Sequence, residues 1–145
     1  MCLNLSQVKN KPRKVFNTSW YRELKENGKI TCYKILEKIN VNLESPFLLV
    51  PYQVGWNKSD RKSIDIYDKD DPVIFSWKTV VQHGIHVYRT KRQATKDIFY
   101  YSSSGKLVII PVTCYLKDLV AMGLSSEAVF MKVFLKKADH DKAIN

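Results

Sequence analysis

The chain has 145 residues, 45% hydrophobic and 12% aromatic, with 24 Lys and Arg against 14 Asp and Glu for a net charge of +10. That length predicts one domain with one core, the apolar content is too high for wholesale disorder, and no apolar run approaches the roughly 20 residues of a membrane helix. Three cysteines without paired spacing argue against a disulfide framework and for a reducing compartment, the cytoplasm. The start, Met1-Cys2-Leu3-Asn4-Leu5, lacks the basic residues and long apolar stretch of a secretory signal.

The charge is uneven. Residues 1–40 hold 9 basic and 3 acidic groups, residues 41–80 hold 5 and 6, and residues 81–145 hold 10 and 5. Two basic ends around a near-neutral middle favour a polyanionic partner, nucleic acid or an acidic protein surface, if the cations share a face.

In chain order, residues 1–16 read as a basic N-terminal arm carrying Lys9, Lys11, Arg13 and Lys14, with Pro12 opposing helix. Asn17-Thr18-Ser19 offers N-caps for a helix through about Glu26, with Trp20 and Leu24 on its apolar face, a Phe16–Tyr21 staple and Asn27-Gly28 as the stop. Ile30 to Ile39 alternates as the first strand, Cys32, Lys34 and Leu36 opposite Tyr33 and Ile35. Asn40 to Glu44 reads as a turn, and Phe47 to Tyr52, flanked by prolines, as at best a short edge strand. Gly55 to Arg61 reads as a polar loop with one large aromatic; Trp56, Lys58 and Arg61 form a candidate partner-binding segment there. The acidic run Asp65, Asp68, Asp70, Asp71 lacks the glycine and glutamate of an EF-hand loop and reads as a solvated segment. Val73 to Val81 fits strand or helix equally.

The strongest local signal is Gly84 to Val112. Ile85 to Tyr88 reads as a strand, Thr90-Lys91-Arg92-Gln93 as a capping box, and Ala94 and Ile98 as the inner face of a short helix. Ser102 to Gly105 breaks it before the β-branched run Lys106 to Val112. Arg89, Lys91, Arg92 and Lys96 cluster around that helix start, close in sequence to Tyr88, Phe99, Tyr100 and Tyr101. Cations interleaved with stacking groups suit single-stranded nucleic acid. Leu116 to Met122 reads as a helical turn, Glu127 to Lys137 as one central strand, and residues 138–145 as a polar tail. The expectation is a single α+β domain over residues 17–137, with a mixed or mainly antiparallel sheet and two or three short helices.

Catalytic and metal chemistry find little support. Cys2 would become an N-terminal nucleophile if Met1 were removed, but no glycine follows it as in the amidotransferase start. His83 and His86, three apart, point to opposite faces of a strand, and no Cys-x-x-Cys or His-Glu-x-x-His spacing exists, so no metal and no cofactor is assigned.

Met1-Cys2-Leu3, Cys32-Tyr33-Lys34-Ile35-Leu36, Ser45-Pro46-Phe47, Gly55-Trp56-Asn57-Lys58-Ser59, Gly84-Ile85-His86-Val87-Tyr88, Val108-Ile109-Ile110-Pro111-Val112 and Glu127-Ala128-Val129-Phe130 together resemble a scattered family of small uncharacterised proteins of phages and bacteria. The resemblance implies a microbial or viral accessory protein, in the host cytoplasm or the virion, and brings no activity. A virion structural component and a host-takeover factor both fit it. The chain is also similar, by position, to ADP-ribosyltransferase-like folds, which would give Tyr33, His86 and Glu127 catalytic parts; Lys34 stands where an arginine would be expected. The reading carried forward is non-catalytic binding of a polyanion or an acidic protein.

Overall fold

The structure is a computed structural model that describes residues 3–8, 19–46, 50–59, 66–68, 79–81, 84–101, 105–123 and 127–145. Lys9, Lys11, Arg13, Lys14, Phe16, Arg61, Cys2, His83 and most of the acidic run lie outside them.

Among the described residues three α-helices accompany one curled, antiparallel sheet, a mixed α+β fold. The elements are β1 (Leu3–Val8), α1 (Ser19–Asn27), β2 (Lys29–Ile39), β3 (Asn42–Glu44), β4 (Pro51–Tyr52), β5 (Gly55–Lys58), β6 (Ile66–Asp68), β7 (Thr79–Val81) and β8 (Ile85–Tyr88), followed by α2 (Lys91–Asp97), β9 (Lys106–Tyr115), β10 (Leu119–Gly123), β11 (Glu127–Phe130), β12 (Lys132–Leu135) and α3 (Lys137–Ile144). The sheet order is β5-β12-β9-β2-β8-β11-β10-β1-β7-β6; off this path β3 pairs with β2, and β4 with β3.

The spine is β2 against β9, paired without interruption from Lys29–Tyr115 to Lys38–Lys106. Alternation along β2 sends Cys32, Lys34 and Leu36 to one face and Tyr33 and Ile35 to the other. At one end α1 stops at Gly28, whose φ of +72° suits a residue without Cβ and whose N–H donates to the Leu24 carbonyl at 2.8 Å. At the other, Asn40 at φ 55° turns β2 into β3.

Met131 shapes the sheet. It alone separates β11 from β12, yet β8, β2 and β9 lie between those strands in the sheet. The sheet therefore curls until β11 and β12 meet at this residue. The Met131 N–H donates to the Asp118 carbonyl (2.8 Å), and its carbonyl accepts from the Ser59 N–H (2.7 Å). Glu127 to Lys137 is thus two strands rather than one, and the break inverts the alternation: Ala128 and Phe130 face the core before it, Val133 and Leu135 after it. One unbroken strand would put Phe134 on the face of Phe130; the break turns it to the outer face, opposite Trp56 and Thr113.

The inner face of the curl holds the main core, where Cys32, Leu36, Val87, Ile110, Val112, Phe130, Val133 and Leu135 pack with Trp20 and Leu24 of α1. Lys34 is among them, only 6% exposed; burial lowers its ammonium pKa from 10.5 to about 8. On the outer face Ile35, Tyr88 and Ala94 form a smaller cluster that seats α2, with Ile98 and Tyr101 against it.

Several expectations change. Residues 3–8 form a strand paired with β10 and β7, not part of a free arm. Gly55–Lys58 is an edge strand rather than loop. The helical turn expected through Met122 is a 3-10 turn over Leu116–Asp118 that runs straight into β10. The polar tail is α3, whose Ala143 and Ile144 pack on the core.

Candidate nucleic-acid interface

Where α2 covers one end of the outer face, the other end lies open. Cross-strand register sets the rows there. Trp56 on β5 stands opposite Phe134 on β12, Phe134 opposite Thr113 on β9, and Thr113 opposite Thr31 on β2. Tyr115 and Tyr33 lie on the same face two residues from Thr113 and Thr31.

Trp56 centres a compact aromatic cluster. Its ring centroid lies 5.3 Å from Tyr115, tilted 45°, and 5.3 Å from Phe134 in an edge contact at 79°. Two ammonium groups stand over the indole: Lys132 Nζ at 4.8 Å from the centroid and Lys117 Nζ at 5.7 Å, the latter equally far from Tyr115. These distances are within cation–π range. The indole stays 37% exposed. Lys58 lies directly opposite Lys132 across the β5–β12 ladder, a like-charge pair that an intervening anion relieves. Below Trp56, Asn57 is buried and locks the β4–β5 turn, accepting from the Gln53 N–H at 2.9 Å and donating to the Gln53 carbonyl at 2.8 Å.

The cluster borders a groove of about 810 Å³ that Tyr33, Thr31, Thr113, Tyr115 and Phe134 line from the sheet. α1 adds Glu23 and Asn27, and the start of α2 adds Thr90 and Lys91. Its charged lining is Lys29, Lys91, Lys136 and Arg89 against the single carboxylate Glu23, which Arg89 Nη2 engages at 2.9 Å. A smaller hollow of about 430 Å³ flanks Trp56 along Val50, Tyr52, Gln53 and Lys58.

The sequence-derived candidates therefore separate. Arg89 and Lys91 line the groove, while Trp56 and Lys58 sit on the adjoining cluster. Arg92 and Lys96 are exposed on α2 and line neither hollow. Of the aromatics expected beside them, Tyr88 is fully buried, Tyr101 is half-buried with its hydroxyl 3.4 Å from that of Tyr88, and Phe99 is exposed in the 3-10 turn after α2. Tyr33, Tyr115, Phe134, Lys29 and Lys136 line the groove, and Lys117 and Lys132 stand over Trp56; none was a sequence candidate for binding, Tyr33 being named for a catalytic part alone. The odd-position alternation of β9 carries part of the signal, placing Thr113 and Tyr115 on one face, whereas Phe134 reaches that face through the break at Met131, which the sequence does not mark.

Beneath α2 lies a different constellation. Thr90 caps the helix as expected, its Oγ1 accepting from the Gln93 N–H at 3.2 Å. The Gln93 side chain does not reach back to the cap; its Nε2 donates to Asp97 Oδ1 at 3.4 Å. Asp97 is hydrogen-bonded to Glu127, which register places beside Tyr88. Burial, then the Asp97 hydrogen bond and charge, raise the Glu127 carboxyl pKa to about 7. Burial first, then the hydrogen bond and charge of Tyr101 and the two carboxyls, raise the Tyr88 hydroxyl far above its usual pKa; burial pushes Tyr101 up to about 12, with its hydrogen bond to Tyr88 pulling the other way and the two carboxyls adding to the rise. Tyr33 and Glu127 flank Tyr88 in one row, and Tyr33 lines the groove, but neither His86 nor Glu127 does.

Among the described residues no group of three or more His, Cys, Asp and Glu is placed to hold a metal ion. Cys32 and Cys114 touch within the core, where burial holds the Cys114 thiol well above its usual pKa. No described helix is long and apolar enough to cross a membrane. No protein-family model, no curated protein and no solved structure matches the chain.

Proposed function

We propose that this protein binds single-stranded nucleic acid across the open outer face of β5, β12, β9 and β2, as a small, basic, non-catalytic accessory protein of phage or bacterial origin. The observation that carries the reading is Trp56: a half-open indole backed by Tyr115 and Phe134, with Lys117 and Lys132 over its ring. A base stacking there takes the place of an ammonium on the ring face, and the displaced lysine stays within reach of the adjoining phosphate. Aromatic platforms ringed by cations bind single strands with little sequence preference, because every base offers a π-face. Duplex DNA keeps its bases stacked on one another and offers this platform only its backbone.

The charge of +10 supports the reading by counterion release. The test is Trp56→Ala with a labelled short oligonucleotide. Loss of one stacked base costs about 1–3 kcal/mol, a weakening of about 5- to 150-fold. Unchanged affinity would remove Trp56 from any nucleic-acid interface. An acidic protein surface is the second reading, favoured by the Lys58–Lys132 pair; it predicts binding to polyglutamate as tight as to an oligonucleotide of equal charge.

A further inference from the structure

Resting on that reading, we infer that the groove between α1, α2 and the sheet receives the phosphorylated end of the strand, a terminal phosphomonoester rather than an internal phosphodiester. Tyr115 and Phe134 touch Trp56 and also line the groove, so a strand stacked on Trp56 passes over them directly into it. On the far side Glu23 and Asn27 of α1 and Thr90 and Lys91 at the start of α2 wall it off. The strand ends where those walls stand.

The charge at this end exceeds what one phosphodiester needs. The Arg89 guanidinium holds Glu23 at 2.9 Å and cancels its carboxylate. Lys29, Lys91 and Lys136 remain, and none of them forms an ion pair among the described residues. An internal phosphodiester carries one negative charge, a terminal phosphate about −1.5 to −2 at neutral pH, with three acceptor oxygens instead of two. Thr31, Thr90 and Thr113 line the same groove and add hydroxyl donors. Tyr33, Tyr115 and Phe134 give the terminal base an aromatic floor.

The experiment compares one short single-stranded sequence in three forms, 5′-phosphorylated, 3′-phosphorylated and unphosphorylated at both ends, by fluorescence anisotropy with an internal label. One phosphorylated form, 5′ or 3′ as the polarity dictates, binds about tenfold or more tightly than the unphosphorylated strand. Its log–log salt slope is steeper by about 1 to 1.4, from the roughly 1.5 to 2 charges of the added phosphate. In the Lys29→Gln/Lys91→Gln/Lys136→Gln variant the ratio between the two forms falls to near one. In Trp56→Ala both forms weaken and the ratio survives. Equal affinity of all three forms for the native protein overturns end recognition and leaves strand binding standing. Absence of binding by any form at low salt overturns both.

Discussion

Glu127 makes the stability of this protein depend on pH in a direction opposite to that of most carboxylates. Its carboxyl, usually near 4.5, is raised to about 7 by burial and by Asp97. Between those values the native state holds a proton that the unfolded chain has released, so stability is fully present below about pH 4.5 and declines as the pH rises to about 7. Taken at face value that displacement is worth about 3 kcal/mol. Glu127 is only half-buried, and solvent screening reduces the figure to about 1–2 kcal/mol. Glu127→Gln stays neutral at every pH, and its amide can donate to Asp97. Urea unfolding at pH 5, 6, 7 and 8 measures the difference between the two proteins, so every other titrating group cancels. The variant should match the native protein near pH 5 and exceed it by about 1–2 kcal/mol at pH 8. Parallel profiles, with a constant offset, would refute the carboxyl pair as the origin.

Lys34 carries the opposite sign. Its pKa is lowered from 10.5 to about 8, so burial of the charge costs about 3 kcal/mol below pH 8, and that cost fades as the pH rises toward 10.5. Lys34→Met keeps an unbranched side chain, one atom shorter and without the charge, and should stabilise the protein by about 2–3 kcal/mol at pH 7 and by much less at pH 10, read from denaturant midpoints; a destabilised variant at pH 7 would show that the ammonium is compensated. At Gly105 an added Cβ would come 2.8 Å from Glu37 Oε1 and 2.8 Å from the Lys38 carbonyl oxygen, where the Gly105 N–H already donates to Glu37 at 2.5 Å. Gly105→Ala should cost about 1–3 kcal/mol. Gly28→Ala, at φ +72° with nothing within 4 Å, should cost only about 1 kcal/mol; equal losses at the two sites would contradict the steric account.

Elements defined by neighbouring residues were legible in the sequence. The Thr90 cap, the Gly28 stop, the alternation of Cys32, Lys34 and Leu36 and the β-branched run into Val112 are all local signals, and each takes its expected form. What escaped depends on partners far along the chain. Gly55–Lys58 is short and polar and becomes a strand only because β12 pairs with it. The run from Glu127 to Lys137 reads as one strand because nothing local marks Met131; the bend follows from closure of the curl. The same holds for the interface. Arg89, Lys91 and Trp56 stand out in sequence by type and grouping, whereas Tyr33, Tyr115 and Phe134 come from three strands and look like ordinary core aromatics until register turns them outward.

The most direct test of the central proposal is fluorescence anisotropy with single-stranded and duplex oligonucleotides of one sequence across a salt series. The structure predicts tighter binding of the single strand, with a log–log slope near −2 to −4 from about three to six phosphate contacts, and a loss of that preference in Trp56→Ala. Equal or stronger binding of the duplex, or single-strand affinity that does not change with salt, would contradict it.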